Sequence, residues 1–187
     1  MTARRIDDLE QLADLIARRN ELASGIAALV GRPAQIGHVG EYVASRIFGI
    51  ALEESASQKA LDGRFTSGNL LGRSVNIKWY AKQEGFLDLT PGALPDYYLV
   101  MTGPKAGPIS SRWTTRPWVI DAVHLFDAQE LVLELQARGG KIGVATSVRQ
   151  ELWRGAEIYP VSRNQRLVLS EEQREMLARF RSHATRR

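Results

Sequence analysis

Two polar residues share one side of a short alternating segment in the middle of the chain. Residues 74–80 alternate as a half-buried strand does, and the side expected to be buried carries Val75, Ile77 and Trp79. Asn76 and Lys78 then project from the other side, roughly 7 Å apart at the backbone, because a strand rises about 3.3–3.4 Å per residue. Asp62 precedes this pair, with 13 residues between it and Asn76. Carboxylate and amide oxygens are ligands for a hard cation, and an ammonium group can stabilise developing negative charge.

The pattern Asp-x13-Asn-x-Lys resembles that of the PD-(D/E)XK nuclease superfamily, also called restriction-endonuclease-like. The resemblance implies that Asp62 and the residue at position 76 bind Mg²⁺ or Mn²⁺, and that Lys78 helps to activate water or stabilises the charged phosphate. It also implies a metal-dependent hydrolysis of phosphodiesters. The phrases Val75–Tyr80 and Pro95–Val100 in addition resemble an uncharacterised bacterial domain family, which implies no known activity.

Glu41 is a third candidate ligand. Many members of the superfamily carry a Glu on the helix before the first strand, and Glu41 precedes Asp62 in a segment with helical periodicity. Its neighbours on the helix include Gly37 and Ala44, which are small enough to leave room for a metal ion or a phosphate. The resemblance therefore implies that Glu41 is an additional metal ligand.

The chain departs from the pattern at two positions, and each candidate also has a purely structural interpretation. Asn76 occupies the place of the second acid, and Leu61 occupies the place of the usual Pro before Asp62. An amide oxygen can bind Mg²⁺ but brings no charge, so metal affinity should fall. Asp62-Gly63 is also a common turn dipeptide, Glu41 could be an ordinary surface carboxylate, and the polar side of residues 74–80 could simply be solvated.

The basic residues near this pattern point to a nucleic-acid partner. The net charge is +4 and the isoelectric point is about 9.6, which permits nucleic-acid binding without requiring it. Arg64, Arg73 and Lys82 are the residues that we expect to contact phosphates, and double-stranded DNA is the expected partner. Whether the protein also forms a homodimer is left open by the sequence. Pro95-Asp96 has the letters of the motif, but no acid-x-Lys follows it.

The periodicity predicts helices, then closely spaced strands, then a mixed region. The predicted helices are 5–19, 21–31, about 34–48 ending at Gly49, 127–138 capped by Asp127, 148–155, and 170–183 with a Ser170/Gln173 capping box. The predicted strands are 50–52, 61–65, 74–80, 97–101, 118–123 and 141–145, with a loop over 103–116. This order indicates one three-layer α/β domain with a mixed central sheet. We divide it into an N-terminal helical segment, 1–35, and a restriction-endonuclease-like part, 36–187.

Several classes of site and location are disfavoured by what the sequence lacks. It contains no cysteine, its three histidines have no zinc spacing, and it has no phosphate-binding loop or dinucleotide fingerprint. No stretch approaches the length of a membrane span, and the first residues lack the apolar region of a signal peptide. We therefore expect a cytoplasmic protein that does not bind membranes.

Three functions follow as hypotheses. The first is a Mg²⁺-dependent nuclease acting on DNA, in restriction or phage defence. The second is a catalytically degenerate nuclease fold that serves as a DNA-binding or regulatory module, which Asn76 favours. The third is a helix-turn-helix regulator built from residues 21–48, in which Gln35, His38 and Tyr42 would face bases.

Overall fold

A computed structural model describes residues 2–53, 61–90, 92–105 and 115–182, with the side chains of the first helix described from residue 8 onward. In these ranges the helices are α1 (Thr2–Val30), α2 (Ile36–Phe48), α3 (Ala128–Gln136), α4 (Gln150–Ala156) and α5 (Glu171–Ala178). The strands are β1 (Ile50–Leu52), β2 (Gly63–Phe65), β3 (Ser74–Tyr80), β4 (Phe86–Leu87), β5 (Tyr97–Thr102), β6 (Ala122–Asp127), β7 (Thr146–Ser147) and β8 (Glu157–Tyr159). The predicted α/β class and mixed sheet are confirmed.

The central sheet of the described part has six strands in the order β1-β2-β3-β5-β6-β8. β3 and β5 run parallel, and the other neighbouring pairs are antiparallel. β3 is therefore an interior strand, paired with β2 on one side and β5 on the other. A separate two-stranded sheet joins β4 to β7.

The two faces of the sheet are covered by different helices, which makes the domain three-layered. One face packs against α2 and α5, and its core includes Ile47, Phe48, Val75, Ile77, Trp79, Leu99, Met101 and Leu177. The other packs against α3 and α4, and its core includes Tyr98, Val100, Phe126, Leu131, Leu135 and Trp153. Because successive residues of a strand point to opposite faces, the predicted buried side of β3 lies under α2.

Several local predictions are confirmed. Gly49 ends α2 in the left-handed conformation, with φ of 63°. Asp127 caps α3 by accepting a hydrogen bond from the Glu130 N–H. Ser170 and Gln173 form the predicted capping box of α5.

Other boundaries were wrong. The helices predicted at 5–19 and 21–31 form the single helix α1, because the interruption at residues 18–20 contains no helix breaker. The strand predicted at 118–123 lies at Ala122–Asp127, since the Ile120 N–H donates instead to the Phe180 carbonyl. No strand forms at 141–145, where Ala145 has a positive φ of 55° and Thr146 closes a turn on Gly143. β4 and β8 were not predicted, and the predicted loop 103–116 includes residues 106–114, which lie outside the described ranges.

No helix in the described residues is both long enough and apolar enough to cross a membrane.

Candidate functional site

Asp62 lies immediately before β2 and is held against β3 by both its main chain and its side chain. Its N–H donates to the Val75 carbonyl at 3.0 Å, and its Oδ2 accepts a hydrogen bond of 2.6 Å from the Ile77 N–H. Its carbonyl accepts from the Glu53 N–H, which ties the same residue to the end of β1. The carboxylate is thus fixed alongside Asn76. Gly63 belongs to β2, but the structural interpretation of Asp62, in which its carboxylate only bonds backbone amides, agrees with the Ile77 hydrogen bond and stays open.

Gly63 is required by the close approach of β1. A Cβ at this position would lie 2.4 Å from the Ala51 carbonyl oxygen and 2.7 Å from a methyl group of Ile50. Any larger residue would have to move β1 or β2 apart. The Asp62-Gly63 dipeptide therefore serves strand pairing, and through it the position of the carboxylate.

The Asp62 carboxyl group has several charged neighbours. Burial raises its pKa most, the hydrogen bond from Ile77 lowers it, and the nearby Glu41 carboxylate raises it. Lys78 and Arg32 lower the pKa, but the net effect is an increase from the ordinary value of 3.8. The side chains of Glu41, Lys78 and Arg32 are therefore all close enough to act on Asp62 electrostatically.

Glu41 reaches this region from α2. Its carboxylate forms an ion pair with the guanidinium of Arg32, which lies in the connection between α1 and α2. Its neighbour Gly40 lets α2 approach β3 closely, since a Cβ there would lie 3.0 Å from the Cβ of Trp79. Arg32 was not among the residues selected from the sequence. Its position nine residues before Glu41 offered no signal without the turn between the two helices.

Asn76 is buried, with 4% of its surface exposed, and its Oδ1 has no hydrogen-bond partner. It lies beside Tyr98 on β5, whose buried hydroxyl is also without a partner. Buried polar atoms are normally satisfied, so an orphaned carbonyl oxygen beside a fixed carboxylate is consistent with a water or a cation in the native site. Lys78 is half-buried on the same side of β3.

The three basic residues expected to bind phosphates have different environments. Arg64 lies two residues after Asp62 in β2 and donates to the Gly72 carbonyl at 3.1 Å. Arg73 pairs with Asp96 at 3.0 Å, just before β3. Lys82 lies past the end of β3, roughly 13 Å along the chain from Lys78 at the rise of a strand. Arg64 and Arg73 therefore flank the strand pair that carries Asp62, whereas Lys82 lies beyond the far end of β3.

Asp96, the acid of the Pro95-Asp96 dipeptide, has a structural role. Its carboxylate accepts hydrogen bonds from the Ser74 N–H and hydroxyl, both at 2.7 Å, and pairs with Arg73. Burial works to raise its pKa, but the bonds from Ser74 and Arg73 lower it overall. Asp96 thus connects the beginnings of β3 and β5.

The donor set suits a hard cation only in part. Among the residues that the structure describes, no group of three or more His, Cys, Asp or Glu is placed to hold a metal ion. Asp62 and Glu41 offer carboxylate oxygens and Asn76 offers a buried amide oxygen, and oxygen is the ligand type that Mg²⁺ prefers. Arg32 and Lys78 balance the two carboxylates and would compete with a cation, so we expect weak affinity.

The chain matches no protein-family model, and no curated protein matches it with significant similarity.

Proposed function

We propose that this protein hydrolyses phosphodiester bonds of double-stranded DNA with the help of Mg²⁺ or Mn²⁺, as a divergent relative of the PD-(D/E)XK nucleases. The observation that carries the proposal is the geometry at Asp62: its Oδ2 accepts a hydrogen bond from the Ile77 N–H, beside the buried Asn76 Oδ1, which has no hydrogen-bond partner. Lys78 lies two residues after Asn76 on the same side of β3, and Glu41 comes from α2. Asp62, Asn76 and Lys78 follow one another in the order that the resemblance implies.

Each residue has a role that its environment supports. Asp62 and the Asn76 Oδ1 would hold the metal ion, which when bound supplies Lewis-acid stabilisation of a phosphoryl oxygen. Glu41 lies on α2, which covers the face of the sheet opposite the Asn76 side chain, and would act on the site through its charge. The ammonium group of Lys78 would stabilise negative charge that develops on the phosphate, or assist the attacking water. The hydrogen bond from Ile77 to Asp62 Oδ2 holds the carboxylate in one orientation and leaves its second oxygen for a ligand.

The proposed substrate follows from charge. Arg64 and Arg73 lie on the strands or loops that flank Asp62, and Lys82 extends the basic surface beyond β3. Such residues would neutralise phosphates, so affinity for DNA should fall as salt concentration rises. A role in restriction or phage defence and a cytoplasmic location belong to the same proposal, and the absence of cysteine is compatible with a reducing compartment.

A second candidate is a catalytically degenerate fold that binds DNA without cleaving it. The ion pair between Arg32 and Glu41 favours this alternative, because it occupies one of the two carboxylates that a metal would need. The neutral Asn76 favours it as well. The two candidates share DNA binding and differ in metal-dependent cleavage.

Plasmid nicking with and without Mg²⁺ or Mn²⁺ separates them. We expect nicking that requires the metal, and we expect Lys78→Ala to reduce it by about 100-fold or more. Lys141→Ala is the matched control, since Lys141 is an exposed lysine outside these elements, and it should leave the rate unchanged. Salt-dependent DNA binding without nicking in either metal would favour the degenerate module. The absence of DNA binding even at low salt would reject both candidates.

A further inference from the structure

The first two-thirds of α1 extends away from the packed part of the domain. Every side chain from residue 8 to residue 22 is exposed, whereas Ala23, Ile26, Ala27 and Val30 are partly buried. Isolated helices of about 12–15 residues are marginal in water, so a helix of this length normally needs tertiary or quaternary packing. In the described part of the chain, residues 8–14 lack it, and residues 15–22 meet the domain only at one shallow groove.

The exposed part of α1 carries a row of large aliphatic residues. Leu9, Leu12, Leu15, Ile16 and Leu22 are 64%, 50%, 55%, 47% and 70% exposed. Their spacing places them on one side of the helix. The row continues into a shallow groove of about 420 Å³, lined by Trp118 of the domain and, on α1, by Leu15, Arg18, Arg19, Leu22 and Ile26. We call this surface the α1 stripe.

Two charged residues of opposite sign interrupt the α1 stripe. Asp8 and Arg19 are 11 residues apart, which is about three turns, so they project within roughly 20° of the same direction. If two copies of α1 paired in parallel, Asp8 would face Asp8 and Arg19 would face Arg19. If they paired antiparallel, each Asp8 would face Arg19 of the partner subunit.

We propose that the α1 stripe binds the α1 stripe of a second copy of this chain in an antiparallel pair. The register that joins Asp8 to Arg19 of the partner subunit also places Leu12 against Leu15 of the partner subunit. This leucine contact occurs twice in the pair, and both copies lie between the two ion pairs. The charges therefore determine the direction and register of pairing. Residues beyond Leu22 remain available for packing against their own domain, as their partial burial requires.

The size of this surface indicates a modest affinity. Covering the aliphatic side chains of both stripes removes on the order of 1,000 Å² from water, which is at the lower limit for a specific interface. We therefore expect a dimer that dissociates on dilution, with a dissociation constant in the micromolar range.

Sedimentation velocity over a roughly hundredfold range of protein concentration tests the proposal with charge-swapped variants of the full chain. The wild type should change from monomer to dimer. Asp8→Arg and Arg19→Asp, each alone, should weaken association by about tenfold or more, because each creates two like-charge contacts. The double variant should restore dimerisation. Asp14→Arg and Glu21→Arg each place an arginine at an exposed position on the opposite side of the helix and should leave the dimer intact.

Each contrary outcome rejects the proposal. A wild type that stays monomeric throughout would show that the stripe does not bind a second copy and would leave a different protein as its occupant. Single variants that dimerise normally would exclude the antiparallel register, and so would a double variant that stays monomeric. Because the substituted residues are exposed, circular dichroism and thermal melting should be unchanged in all monomeric variants, which separates lost association from lost folding.

Discussion

Asp62 and Asp96 both accept a hydrogen bond from the backbone of β3, yet their electrostatic environments are opposite. Asp62 binds the Ile77 N–H and has a raised pKa, because burial and the Glu41 carboxylate outweigh the groups that favour its charge. Asp96 binds Ser74 through both the N–H and the hydroxyl, pairs with Arg73, and has a lowered pKa. The carboxylate that follows a proline is thus the satisfied one. The hydrogen bonds and charges around a carboxylate, more than the sequence motif that contains it, distinguish a candidate metal ligand from a residue with a structural role.

The largest expected difference between the two aspartates is in catalysis. Asp62→Asn should reduce metal-dependent nicking by about 100-fold or more, since it removes the fixed anionic ligand. Asp96→Asn should change the rate by no more than a few fold, at a temperature where both variants are folded. The measurement is initial nicking rate at saturating Mg²⁺. Equal losses in both variants would show that strand positioning alone explains the effect of Asp62.

An intermediate effect is expected at Asn76, where the chain lacks the second acid. Asn76→Asp adds a negative charge beside Asp62, so without metal the free energy of unfolding should fall by roughly 1 kcal/mol, about 2–4 °C in melting temperature for a domain of this size. Mg²⁺ should recover this loss, because a ligand that binds only the folded state stabilises it.

Thermal melting over a Mg²⁺ titration measures this response in the wild type and in Asn76→Asp. Asn69→Asp is the matched control, because Asn69 is exposed and is not one of the candidate site residues. Its melting temperature should not respond to the metal. If the melting temperature of neither the wild type nor Asn76→Asp responds to Mg²⁺ or Mn²⁺, Asp62 and Asn76 do not form a metal site. The catalytically degenerate DNA-binding module then becomes the better proposal.

The smallest expected effect concerns stability without metal. Asp62→Asn and Asp96→Asn should change the free energy of unfolding in opposite directions. A carboxyl group whose pKa is raised on folding contributes stability at pH values below its unfolded pKa, and this contribution is lost as the pH rises through the folded pKa. Asp62 therefore costs stability at pH 7, and Asp62→Asn should raise the free energy of unfolding by up to about 1 kcal/mol. For Asp96 the folded pKa is lowered, so its contribution is present at pH 7, and Asp96→Asn should lower stability by about 1 kcal/mol.

Urea unfolding at pH 7 and at about pH 3 checks both signs. The effect of each substitution should shrink as the pH falls below the ordinary carboxyl value of 3.8, because Asp62 then resembles its amide variant and Asp96 loses the charge that Ser74 and Arg73 stabilise. Two substitutions with the same sign at pH 7 would contradict the contrast between the two environments.

The sequence was most informative where structure depends on neighbouring residues. The strand Ser74–Tyr80 follows from alternation, the end of α2 follows from Gly49, and the start of α5 follows from its capping box. It was least informative where a distant segment completes the hydrogen bonds. The strand predicted at 118–123 was wrong because residues 120–121 bond to Phe180, Thr102 and Ser182, and these partners lie far away along the chain.

The same division applies to the candidate site. Asp62, Asn76, Lys78 and Glu41 were selected from periodicity together with the resemblance to the nuclease superfamily, and their roles stay a prediction. Packing decided the rest: it brought Arg32 into an ion pair with Glu41 and left the Asn76 oxygen buried without a hydrogen-bond partner. Periodicity is a short-range property that a sequence displays directly. The distances between charges and the exposure of each depend on how α2, β2 and β3 pack, and only the tertiary structure determines that.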